Sequence, residues 1–169
     1  MNNKIKKITL SGLLATLTFI FTRYFSIPTA ITGNINIGDS IVLLCGLILG
    51  PLYGGLAAAT GSAFADLVSP YAIYTPATFI IKGLVAVTVA ILFKKFKKLN
   101  LKFNLIITSV IAEIIMILGY FLFEAFVLKF GVGVASYQLI NNAVQAVASI
   151  IIVSVIYTTL SRSSLVNHK

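Results

Sequence analysis

The chain carries four acidic side chains, Asp39, Asp66, Glu113 and Glu124, and all four fall in or at the ends of long apolar runs. Arg23 and Lys82 do the same. Ionisable groups in such surroundings are costly, so each is a candidate for recognition of a ligand or ion. Gln138, Asn141, Asn142 and Gln145 open the last apolar run. Asn141 and Gln145 share a helical face, and Gln138 and Asn142 form the neighbouring stripe. Tyr71 and Tyr74 precede the fourth run, where they belong to an interfacial belt or stack on a planar ligand. Donors, acceptors and π faces of this kind suit non-covalent recognition of a small polar molecule. There is no Walker loop, no dinucleotide fingerprint and no cluster of His or Cys. With His168 alone, neither a metal site nor a cofactor is expected, and no nucleophile–base set indicates an enzyme. Cys45 has no partner for an intramolecular disulfide.

The elements that must position these groups follow from composition. Of 169 residues, 59% are hydrophobic and 10% charged, and mean hydropathy is +1.03. Ordinary soluble domains are about 25% charged, and at ~150 residues still leave nearly a third of their surface in water. A soluble enzyme, a disordered chain and a disulfide scaffold are thereby excluded. The apolar runs are continuous rather than alternating, which excludes a membrane barrel. The expectation is an all-α integral membrane protein, one domain over residues 1–169, with lipid around it. Spans need about 20 apolar residues, and six candidates are found: 8–25, 37–49, 52–68, 76–93, 103–128 and 137–160. The first, although Lys-rich at its start, reads as an uncleaved span rather than a signal peptide.

The net charge of +9 could mark nucleic-acid binding, but its placement argues otherwise. Lys4, Lys6 and Lys7 precede the first run. Lys94, Lys95, Lys97, Lys98 and Lys102 follow the fourth, and Arg162 and Lys169 close the chain. This is the positive-inside pattern. Four spans separate the first two clusters and two separate the last two, so both termini are expected in the cytoplasm. Residues 26–36, 69–75 and 129–136 are then the outer connections. Asp39, Asp66, Glu124, Arg23 and the amides of the sixth span all fall towards the outer side, and Lys82 lies roughly 9 Å down by helical rise. The expected site is an outward-facing cup rather than a pore.

Several of these groups have a plainer reading. Arg23 marks the interface, Asp39 caps the second helix, Asp66 pairs with Arg23 or Lys82, and Glu113 pairs with Lys82. The third span is rich in small residues from Gly54 to Ala65, which let helices approach closely and place it at the centre of the bundle.

Four blocks in order carry a resemblance: Gly33-Asn-Ile-Asn-Ile-Gly-Asp39, Leu47-Ile-Leu-Gly-Pro-Leu-Tyr-Gly-Gly55, Ala63-Phe-Ala-Asp66 and Pro76-Ala-Thr-Phe-Ile-Ile-Lys-Gly83. Over residues 33–90 the chain resembles the S component of an energy-coupling factor (ECF) vitamin transporter. The resemblance implies a six-helix substrate-binding subunit in a bacterial plasma membrane. It also implies a transmembrane coupling subunit and two cytoplasmic ATPases as partners. The blocks are similar to the pyridoxine or hydroxymethylpyrimidine branch, with riboflavin next. The implied ligand set is Asn36, Asp39, Tyr71, Tyr74, Lys82, Glu124, Gln138, Asn141, Asn142 and Gln145. The coupling subunit is met through small residues of the first helix, here Ser11, Gly12, Ala15 and Thr16 in place of the family's paired alanines. A self-contained secondary transporter would need polar residues through the inner half, and a membrane scaffold would not need a polar cup.

Overall fold

The computed structural model describes residues 3–28 and 34–162. The described residues form six α-helices: α1 (Asn3–Tyr24), α2 (Gly38–Leu49), α3 (Pro51–Leu67), α4 (Thr75–Lys95), α5 (Leu101–Leu122) and α6 (Val132–Arg162). Four of the described helical segments, Lys4–Tyr24, Ala72–Lys95, Leu101–Val127 and Val132–Arg162, are long and apolar enough to cross a membrane. The 12 residues of α2 rise only about 18 Å, against ~30 Å of hydrocarbon. The second span expected from sequence is therefore a half-length helix, set inside the protein.

One departure from an all-α fold lies between α1 and α2. Strands β1 (Ser26–Pro28) and β2 (Asn34–Asn36) pair antiparallel, with Ile27 opposite Ile35. Of the polar connection expected there, Thr29, Thr32 and Gly33 lie outside the described residues. The sixth helix begins at Val132, five residues before the expected Tyr137.

The centre of the bundle is α2, not α3. Every residue from Gly38 to Gly46 is buried, whereas α3 exposes Leu52, Leu56, Phe64 and Leu67. The small residues of α3 serve its packed face alone. A Cβ on Gly61 would collide with the backbone of Ala15 on α1, so glycine sets how closely these helices meet. Gly50 ends α2 at φ 79° and Pro51 opens α3; glycine tolerates the first conformation and proline is preset for the second. The outer faces are apolar, as Ile140, Val144, Val147, Ile151 and Val155 show along α6. Those spacings make one stripe suited to lipid.

The basic clusters gather at the Gly50 end. Lys7 Nζ lies 6.0 Å from the centre of the Tyr53 ring, and Lys94 Nζ reaches the Gly50 turn. Phe93 meets Tyr157, near the end of α6, edge to face at 5.4 Å. The polar site occupies the opposite end.

Candidate ligand-binding site

At that opposite end the helices surround a cleft of about 480 Å³, lined by Thr22, Asn36, Asp66, Tyr71, Tyr74, Thr78, Lys82, Tyr120, Glu124, Gln138, Asn142 and Gln145. Each helix except α2 contributes a wall residue directly, and α2 supplies the support behind Lys82. Lys82, 3% exposed, donates to Asp39 Oδ1 at 2.5 Å, and Asp39 is 1% exposed. Gln145 Nε2 donates to the other Asp39 oxygen at 2.6 Å. The same Gln145 accepts from the Asn36 backbone amide at 2.8 Å, and Asn36 Oδ1 accepts from the Gly38 amide at 2.9 Å. One continuous network thus ties β2, α2, α4 and α6.

These contacts revise several expectations. Asp39 does not cap α2: the N-cap is Ile37, and no side chain caps it. Asp39 instead stands in the first turn, where negative charge also suits the helix dipole. Lys82 has its anion within the protein, and that anion is Asp39 rather than Asp66 or Glu113. Asp66 accepts from Thr78 Oγ1 at 2.5 Å, and Thr78 also meets the Tyr120 hydroxyl at 2.9 Å. Glu113 is 1% exposed and neither of its oxygens has a hydrogen-bond partner. Arg23 stacks over Tyr24 at 5.6 Å and is absent from the cleft wall.

The aromatic wall is built from the turn before α4 and from the last turn of α5 with the residues just beyond it. Tyr74 packs edge to face on Tyr71 at 6.5 Å and tilts against Tyr120 at 6.3 Å and Phe123 at 5.8 Å. Its hydroxyl donates to Glu124 Oε1 at 3.1 Å. Lys82 Nζ lies 5.2 Å from the Tyr120 ring centre, within cation–π range. Beyond α5 the chain continues as a π-helical turn, Phe123–Val127, closed by a bond from Leu128 N to Phe123 O at 2.9 Å. Such turns interrupt helices mostly at functional sites.

Of the ten expected site residues, eight line the cleft. Asp39 sits behind Lys82, and Asn141 donates to Gln138 Oε1 at 2.5 Å. Thr22, Thr78 and Tyr120, which were not singled out from sequence, complete the wall with Asp66, a candidate from sequence left out of the expected ligand set. A signal was present for two of them: Thr78 lies four residues before Lys82 and Tyr120 four before Glu124, one helical turn on the same face. On α1, Gly12 and Thr16 are exposed, while Ser11 and Ala15 are half-buried. A Cβ at Gly12 would meet nothing, so the open part of the small-residue face is Gly12 and Thr16.

A membrane bundle with a polar, tyrosine-lined cleft at one end is the form of a substrate-capturing subunit. The family model for the ECF-type riboflavin transporter S component matches residues 2–162, and the chain belongs to this S-component family. It is therefore a transport subunit rather than an enzyme. The structure of the S component of a bacterial ECF transporter superposes with a TM-score of 0.68 at 15% identity, over 95% of this chain and 98% of that one. A protein of Pyrococcus woesei described only as an uncharacterized protein in the gap 3' region is 36% identical over 135 residues, 79% of this chain and 86% of its own. A folate transporter of Clostridium novyi, FolT, is 28% identical over 112 residues, 66% of this chain and 64% of its own. The family model names riboflavin and the Clostridium relative folate, and neither names pyridoxine or hydroxymethylpyrimidine.

Proposed function

We propose that this chain captures a small water-soluble vitamin or vitamin precursor in the cleft and delivers it across a bacterial plasma membrane. Delivery is powered by a transmembrane coupling subunit and two cytoplasmic ATPases. The observation that carries this reading is the concentration of polar and tyrosine side chains around one cleft in an otherwise apolar bundle. In this reading both termini and the Gly50 end face the cytoplasm, since the basic clusters gather there, and the cleft opens outward. The ligand contacts are Asn36, Tyr71, Tyr74, Lys82, Glu124, Gln138, Asn142 and Gln145 with the four further wall residues, and Asp39 and Asn141 hold them in place. Gly12 and Thr16 are the open surface for the coupling subunit. Riboflavin, folate, pyridoxine and hydroxymethylpyrimidine are the ligands to compare.

Native mass spectrometry of the gently purified chain tests the reading: a co-purified vitamin is expected. In liposomes the chain alone is expected to bind without accumulating, with or without ATP. Uptake driven by a proton or sodium gradient would replace this reading with a self-contained secondary transporter. For orientation, Cys at Ser136 is expected to react with an impermeant thiol reagent from outside and Cys at Asn100 only from inside, both in a Cys45→Ala background. The reverse pattern would invert the topology.

A further inference from the structure

The deep groups of the cleft differ in how far their hydrogen-bonding capacity is used. Lys82 is neutralised by Asp39, both Asp39 oxygens accept bonds, and Asp66 accepts from Thr78. Glu124 is the exception. It is 2% exposed, it lines the cleft, Tyr74 donates to its Oε1, and the Gln138 side chain also acts on its carboxylate. Its Oε2 is buried with no hydrogen-bond partner among the described residues. No Lys or Arg other than Lys82 stands in the cleft wall. The π-helical turn that begins at Phe123 sets Glu124 here, bonded to Tyr74, whose ring packs against those of Tyr120 and Phe123.

A buried carboxylate oxygen left without a donor loses solvation that nothing in the protein replaces. A donor brought by the ligand would replace it, and these rings favour a flat π system beside that donor. We propose that Glu124 Oε2 is the subsite for an N–H edge of a heteroaromatic ring: an exocyclic amino group or a protonated ring nitrogen. The inference rests on the reading of the cleft as a vitamin site and narrows it to ligands that present nitrogen-bound hydrogen. A ligand that turns only carbonyl or carboxylate oxygens to Glu124 would place acceptor against acceptor. A site built around such a pairing rejects analogues lacking the donor, because its own buried group is then left unpaired.

Calorimetric titration of the detergent-purified full chain provides the test, using pairs that differ at the N–H edge: hydroxymethylpyrimidine against its 4-desamino analogue, pyridoxine against N-methylpyridoxine, and riboflavin against 3-methylriboflavin, with folate as a further probe. In at least one pair the donor-bearing member is expected to bind at least tenfold more tightly. Glu124→Gln is expected to weaken that member about ten- to a hundredfold, the loss of a charged hydrogen bond, while leaving its donor-less analogue unchanged. Binding of the analogue reports that the variant is folded; should the variant not fold, the ligand pairs decide alone on the unaltered chain. Equal affinity within each pair that binds, or unaltered affinity in a folded Glu124→Gln protein, would overturn the N–H subsite and leave vitamin capture standing. Failure of all six probes and of folate to bind would overturn vitamin capture, and the subsite with it.

Discussion

The first four helices and the last two solve the problem of buried polar groups in different ways. In α1–α4 the helices close on one another through glycine and alanine, and the buried cation there, Lys82, is paired with Asp39. Ser62 and Thr75 are the side chains there with a buried polar atom left unpartnered. In α5–α6 and the π-helical turn between them, Asn104, Ser109, Glu113, Glu124, Ser149 and Ser154 all hold such an atom. Unpaired buried groups are costly, so the asymmetry has meaning. The first half holds the close-packed frame and its ion pair, and the second half, besides lending Gln145 to Asp39, holds most of the unpartnered buried polar atoms of the described residues.

The largest predicted effect breaks the scaffold. Lys82→Met leaves Asp39 buried without its cation, which is expected to cost about 3–5 kcal/mol, read as a fall in thermal midpoint and folded yield in detergent. Adding Asp39→Asn is expected to restore most of that loss; no recovery would mean that the pair is not what Lys82 provides. Gly61→Leu forces a side chain into the Ala15 backbone and is expected to destabilise by about 1–3 kcal/mol through overpacking. Gel filtration should then show a smaller monodisperse fraction, and a normal melt would show that α1 and α3 are free to separate. Glu113→Met sharpens the contrast because its predicted sign is opposite. Removing a buried carboxylate without hydrogen-bond partners is expected to stabilise the fold by about 1–2 kcal/mol. A lower melting temperature would make Glu113 part of the scaffold's charge balance. Gly12→Trp should be the mildest, within about 0.5 kcal/mol as a surface change. It is nevertheless expected to weaken co-purification with the coupling subunit; normal assembly would move docking away from this face.

Much of this arrangement is legible in the residue order. The apolar runs and cation clusters locate helices and their shared end, because both patterns are properties of single segments. The cleft set is legible for a similar reason: polar residues in apolar helices stand out wherever they fall. Pairing is not. Nothing local states that Lys82 meets Asp39 rather than Glu113, since that choice depends on how three helices are rotated about their axes. The same limit explains α3, whose small residues announce close packing but not which helix lies in the middle. Thr22 and Thr78 stay hidden because threonine is at home in an apolar helix, where its hydroxyl can bond the preceding turn. The short β1–β2 pair is invisible for another reason: three residues per strand carry too little alternation to register.

The network around Asp39 also has a schedule. Asp39 and Lys82 are separated by 43 residues, so the ion pair becomes possible once the fourth helix has left the ribosome. Gln145, which holds the second Asp39 oxygen and the Asn36 amide, lies 106 and 109 residues downstream of them. Gln145 follows Lys82 by 63 residues, and at ~5–20 residues per second of synthesis that is a wait of roughly 3–13 s. During it the nascent bundle has neutralised its most expensive charge, while its ligand cleft still lacks a wall. The last two helices can therefore insert with Asp39 already paired, and the cleft is walled in only when α6 arrives.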